Sequence, residues 1–172
     1  MGYLIPAGEL TIDDIIALRQ NVVGQLFSVA TRLTGLAKDE LIVRSILPKT
    51  DLGLTNEVWE ATISSANAWN PWISNQLEDQ RFVVIYGLAN LTADPVTTAI
   101  KFSTGASKTK IIDVVQYEDL YTNKERVDGY FNRFIVYKHK QYLNADLYAR
   151  ATGTERLVLK GFVVEPAGRI TF

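Results

Sequence analysis

From Ile12 to Leu33 apolar residues stand at 12, 15, 16, 18, 22, 23, 26, 27, 29, 30 and 33, the recurrence of an amphipathic helix. At about 100° per residue they fall within an arc of about 180°, with Arg19 as the one polar intruder and Ala17 outside the arc. Thr11 is a good N-cap, Asp14 completes a Thr-x-x-Asp capping box, and Asp13 and Asp14 suit the positive end of the helix dipole. Gly35 supplies a stop. The apolar arc is wider than the roughly 100° stripe of a helix lying on one core. Such a helix is laid across the open face of its own sheet, set between two surfaces, or shared with a neighbouring subunit. Residues 1–10, with Pro6 and Gly8, read as an extended arm ahead of it.

Beyond the helix the period changes to that of strands. Residues 41–47 (LIVRSIL) predict a strand ended by Pro48, followed by a turn over 49–54. Residues 57–63 alternate, with Trp59, Ala61 and Ile63 on one face. Residues 64–72 (SSANAWNPW) read as a polar loop carrying Trp69 and Trp72 around Pro71. Further strands are expected over 81–89, 96–102, 111–117, 131–137 and 142–150, with a basic loop over 103–110 and a charged connection over 118–129. In 142–150 Leu143, Ala145, Leu147 and Ala149 share one face, while Tyr142, Asn144, Asp146, Tyr148 and Arg150 share the other. Residues 152–154 are expected to close a hairpin to a strand over 157–164, which ends at 166–168.

About eight strands with no βαβ spacing imply a mainly β protein, an antiparallel β-sandwich with an N-terminal arm and helix. A jelly roll is favoured over an immunoglobulin-like sandwich, for which no Cys–Trp–Cys pattern exists. The expected organisation is an arm and helix over 1–35 and a β body over 36–172. At 172 residues the chain can bury about 70% of its unfolded surface without disulfides or metals. It has no cysteine, no basic segment leading into a long apolar one at its start, and no apolar run of the ~18 residues that span a bilayer. A soluble protein made in the cytoplasm and not secreted by a signal peptide is expected. Net charge is −1, divided as −5 over 1–80 and +4 over 81–172, so complementary fields could meet between copies or with a partner. Neither half is basic enough to indicate nucleic acid.

Candidate chemistry is sparse. The one histidine, His139, lies between two lysines at an expected hairpin tip and reads as an exposed turn residue. Gly105–Lys110 lacks the G-x-x-x-x-G-K-[ST] spacing of a phosphate loop. The carboxylate pairs Asp13/Asp14, Asp39/Glu40, Glu78/Asp79 and Glu118/Asp119 fall in caps, strand ends and connections, without the inward projection a glycosidase dyad needs. No calcium-loop spacing occurs. No catalytic residue, cofactor or metal is therefore expected. Trp69 and Trp72 suit either a protein interface or a sugar-stacking platform, and Tyr142 and Tyr148 share an outward face beside Arg150.

The short arm, the capped helix, the Leu47–Gly53 turn (LPKTDLG), the strand RFVVIYGLAN over 81–90 and the closing ATGTERLVLKGFVVEP over 151–166 together resemble the small cement or decoration proteins of tailed-phage capsids. The resemblance is one of layout across most of the chain. It implies a non-enzymatic virion protein, a trimer or a dimer, that bridges neighbouring major capsid subunits through its N-terminal element and its β body. The side chains expected at a partner interface are Ile12, Ile15, Ile16, Val22, Val23, Leu26, Phe27, Trp69, Trp72, Tyr142 and Tyr148. The alternative is a carbohydrate- or receptor-binding β module. No nucleic-acid or membrane partner is expected.

Overall fold

A computed structural model describes residues 2–119 and 127–168, so most of the charged connection expected over 118–129 lies outside the described residues. The elements run β1 (Gly2–Pro6), α1 (Ile12–Thr34), β2 (Leu41–Ser45), α2 (Pro48–Leu52), β3 (Ala61–Ile63) and β4 (Ala68–Gln76). They continue with β5 (Phe82–Asn90), β6 (Thr97–Thr104), β7 (Lys110–Gln116), β8 (Asp128–Tyr137), β9 (Tyr142–Ala149), β10 (Gly153–Glu155) and β11 (Leu157–Pro166). The protein is mainly β, with one large curled mixed sheet and an N-terminal helix.

Helix α1 forms as its end signals dictate. The Thr11 hydroxyl accepts the Asp14 amide at 3.2 Å, the Asp14 carboxylate accepts the Thr11 amide at 3.0 Å, and Gly35 closes the helix at φ 73°. Acceptance of the Thr11 amide also holds the Asp14 carboxyl below its ordinary 3.8.

Nine strands follow the order β2-β11-β5-β8-β1-β7-β6-β9-β4, while β10 pairs with β3 separately. All neighbours in the large sheet are antiparallel except β1 and β7. Strand β1 divides its pairing: Gly2 and Tyr3 align with β7, Leu4 to Pro6 with β8. The sheet curls about this strand. Val83, Ile85, Ile135 and Tyr137 from one half then share the principal core with Ile100, Phe102, Leu143 and Leu147 from the other. A second core lies outside the first half, where Val22, Leu26, Phe27 and Ala30 of α1 meet Phe82, Val84, Tyr86, Tyr130 and Val164. Strand β5 is buried along its whole length because its alternate side chains face these two cores, which explains its unbroken apolar run.

Several expectations are corrected by this arrangement. Gly2–Pro6 is an internal strand rather than an arm, because its first two residues pair with β7 and its last three with β8. A cut at residue 35 would therefore remove a strand from the sheet. Residues 68–76 form a strand, not a loop. Pro71 is tolerated because β4 is the end strand, paired only with β9 and shifted in register between Pro71 and Ile73. The strand expected over 57–63 shrinks to Ala61–Ile63, and a short helix replaces the turn after Pro48. No hairpin joins β9 to β11. Strand β10 turns away to pair with β3, and β11 crosses to lie between β2 and β5.

Candidate functional site

The two halves of the sheet differ on their outer sides. The outer side of β2-β11-β5-β8 is covered by α1; no described helix packs on that of β7-β6-β9-β4. In β9 the apolar Leu143, Ala145, Leu147 and Ala149 point inward, so Tyr142, Asn144, Asp146 and Tyr148 face outward, Asn144 and Asp146 buried beneath the loop after β6 and the two tyrosines half-buried. Cross-strand register then decides their neighbours. Tyr148 stands opposite Trp69 of β4 and Ala99 of β6, and Asp146 opposite Pro71 and Lys101.

The resulting group is compact. The Trp69 and Tyr148 rings meet edge to face at 5.4 Å, and the Lys101 ammonium lies 4.5 Å from the Trp69 ring centre. Asp146, nearly buried, accepts Lys108 Nζ at 2.7 Å, with Lys101 Nζ at 4.0 Å on its other oxygen. Lys108 arrives from the loop after β6, which is held rather than free: Asn144 donates to the Gly105 carbonyl at 2.9 Å, and the Lys108 amide donates to the same oxygen at 3.1 Å. Trp69 remains 37% exposed. An exposed tryptophan beside a cation and a screened carboxylate offers a flat, amphipathic contact surface.

The other expected interface residues divide. Tyr142 faces outward too but lies six positions from Tyr148, about 20 Å along the strand. Trp72 is half-buried against the principal core, 6.2 Å from Trp59, with its indole N–H donating to the Glu60 carbonyl at 2.9 Å. It is therefore a core-closing residue, separated from Trp69 by the register shift. Val22, Leu26 and Phe27 are buried against the chain's own sheet, and Ile15 and Val23 pack partly on the same core. A partner cannot reach the three buried ones in this fold. Ile12 and Ile16 on that helix face stay open, at 77% and 48% exposure, as does Leu33 near its other end.

The buried acids are already held. Asp51 and Glu165, both fully buried, are joined by Arg44, which reaches Asp51 at 2.7 Å and Glu165 at 2.9 Å, and by Arg81, 3.1 Å from Glu165. Glu155 accepts Asn90 at 3.0 Å, the Thr97 amide at 3.1 Å and hydroxyl at 2.5 Å, and also the Val96 amide. Asp113 accepts the Gly2 amide at 2.7 Å. His139 departs from its expected exposed setting. It is half-buried, stacked on Phe82 at 5.0 Å, with Nδ1 2.9 Å from Asp79 and 3.2 Å from the Gln80 amide. The His139 hydrogen bond holds the Asp79 carboxyl below its usual range.

Sequence reasoning singled out Trp69 and Tyr148 but not Lys101, Lys108 or Asp146. Only register places those three together, and no local signal carries register between strands that are distant along the chain. No described helix is long and apolar enough to cross a membrane. Comparison with protein-family models, curated proteins and solved structures finds no match to this chain.

Proposed function

We infer that this chain is a non-enzymatic virion structural protein of the capsid cement or decoration type, bridging neighbouring capsid subunits as a trimer or dimer. Fold alone does not assign such a role. What carries the reading is the exposed Trp69 on β4, the end strand of the sheet, with Tyr148 and Lys101 set against its ring. Exposed aromatic residues are enriched at interface centres, and Trp and Tyr among the side chains that contribute most to binding. Ile12 and Ile16 add a second uncovered apolar spot at the start of α1.

The finer fold assignment supports the same class. Apart from β1, one half runs β2-β11-β5-β8 and the other β7-β6-β9-β4. Taken in chain order, these eight strands alternate between the two halves except at β6 and β7, and this order supports a jelly roll, an architecture frequent in viral capsid and lectin domains. Bridging through a detached N-terminal arm is abandoned, since β1 is a sheet strand. The contact surfaces are instead the Trp69 surface at the β4 end of the sheet and the exposed first turns of α1.

Sedimentation velocity and particle co-sedimentation of the full chain test this. The expected results are an oligomer in solution and a loss of particle association in Ile12→Asp/Ile16→Asp and in Trp69→Ala, with the fold intact by circular dichroism. A monomer that stays in the supernatant of every particle preparation from the producing cells overturns the reading.

The edge-to-face Trp69–Tyr148 pair also favours a second reading, a carbohydrate- or receptor-binding β module. A glycan array probed with the native chain and Trp69→Ala separates the two. Binding lost on substitution supports a glycan platform, and silence from both counts against it.

A further inference from the structure

A cleft of about 390 Å³ lies on the opposite outer side, beside α1, lined among others by Arg19, Ser45, Trp59, Tyr86, Lys160 and Phe162. Its volume falls in the range of small-ligand sites, roughly 300–1,000 Å³. Its floor has an unusual order. Tyr130 of β8, Tyr86 of β5 and Phe162 of β11 form a row of near-parallel rings across three neighbouring strands, with centres 5.9 and 5.5 Å apart and both interplanar angles 10°. The next strand in the sheet is β2, and the residue opposite Phe162 there is Ser45. The row thus stops where a fourth ring would stand, since the facing position carries only a hydroxymethyl group. The cleft opens at that place.

Two further features shape the cleft. Both strands of its floor change register here, β11 between Lys160 and Gly161 and β5–β8 between Ile85 and Gly87. Such bulges re-aim side chains next to sites. A Cβ on Gly87 would lie 2.9 Å from the Lys160 side chain, so the glycine leaves room for the lysine stem to cross to Tyr130 and Asp128. Lys160 is thereby committed within the fold. Arg19 is not: it is the single polar residue within the apolar arc of α1, it is exposed at the rim of the cleft, and it forms no ion pair with any described residue. A guanidinium in that position presents a fork of donors suited to a carboxylate.

We propose that this cleft binds a small aromatic carboxylate, with its ring stacked as the fourth member of the row on Phe162, above Ser45, and its carboxylate on Arg19. Offset parallel stacking is favourable for such rings, and the anion supplies the partner that Arg19 lacks. The site lies on the opposite side of the sheet from Trp69 and Tyr148, so it stands or falls independently of the decoration reading.

The test uses the full chain and 1-naphthoate as the probe, with 1-naphthylmethanol as its uncharged counterpart. Binding is followed by backbone amide shifts. Naphthoate should bind saturably and shift the Ser45 and Phe162 amides most. Arg19→Gln, at an exposed helix position, should weaken naphthoate by about tenfold or more while leaving the alcohol unchanged, since a charged hydrogen bond is removed. Ser45→Phe should abolish binding of both by completing the row with the chain's own ring. Shifts that map elsewhere, or naphthoate affinity unchanged in Arg19→Gln, overturn the proposal. If Ser45→Phe fails to fold, the Arg19→Gln pair of titrations decides alone. Equal loss for acid and alcohol in Arg19→Gln overturns the assigned role of the guanidinium.

Discussion

Truncating Leu26 tests whether α1 is seated on its own sheet. Leu26 is 0% exposed, in the middle of the helix face that meets Phe82, Val84 and Val164. Leu26→Ala removes three carbon atoms at about 0.8 kcal/mol each for lost burial, close to 2.4 kcal/mol before any cavity term. The cavity adds about 24 cal/mol per Å³ of space that does not collapse, and buried Leu→Ala changes span about 2.7–5.0 kcal/mol in a well-studied series. A loss of about 3 kcal/mol is therefore expected. In a chain of this length that corresponds to a fall in Tm of about 6–12 °C. The control is Ile12→Ala on the same helix at 77% exposure, where a change within about 0.5 kcal/mol is expected. Urea unfolding followed by tryptophan fluorescence and far-UV circular dichroism measures both. A Leu26→Ala loss below about 1 kcal/mol, or one matched by Ile12→Ala, would refute cis packing of the helix.

Asp51→Ala leaves Glu165 as the one buried carboxylate facing Arg44 and Arg81, and should lower stability by about 3–5 kcal/mol in the same urea assay, as broken buried ion pairs do. A loss under about 1 kcal/mol would show the cluster to be solvated. Gly161→Ala would place a Cβ 2.3 Å from the Val84 carbonyl oxygen and 2.4 Å from Ile46 Cδ1, so strand movement costing about 1–3 kcal/mol is expected, read as a lower melting temperature. The depressed Asp14 carboxyl implies a pH dependence whose sign is fixed. Its contribution is complete above the ordinary 3.8 of the unfolded chain and disappears as pH falls through the lower folded value. The protection of first-turn amides of α1, taken relative to intrinsic exchange at each pH, should fall on acidification through that window, and Asp14→Asn should remove the dependence. A first turn equally protected at all acid pH values would contradict the capping role.

Much of the secondary structure could be read from the chain itself. The Thr11–Asp14 box and Gly35 act within three or four residues, so the ends of α1 are local facts. The inward set of β9 follows from its period of two, and the unbroken apolar run of β5 is that of a strand enclosed on both sides. Pairing was not legible in the same way. Gly2 meets Asp113 across 111 residues, and nothing in GYLIP tells an arm from an internal strand. Pro71 argued for a loop, and only the place of β4 at the end of the sheet made it acceptable in a strand.

The same division holds for the sites. Trp69 and Tyr148 were recognisable as candidates by residue type and face, whereas Lys101, Lys108 and Asp146 join them only through register. Arg19 stood out in the helix pattern, yet the ring row that gives it meaning is assembled from three strands. Caps and periodicity act over a few residues, so the chain alone sets which segments become helix or strand and which face turns inward. Strand partners are chosen by the mutual burial of distant apolar faces and by backbone pairing, so neighbours across strands exist only once the sheet has closed.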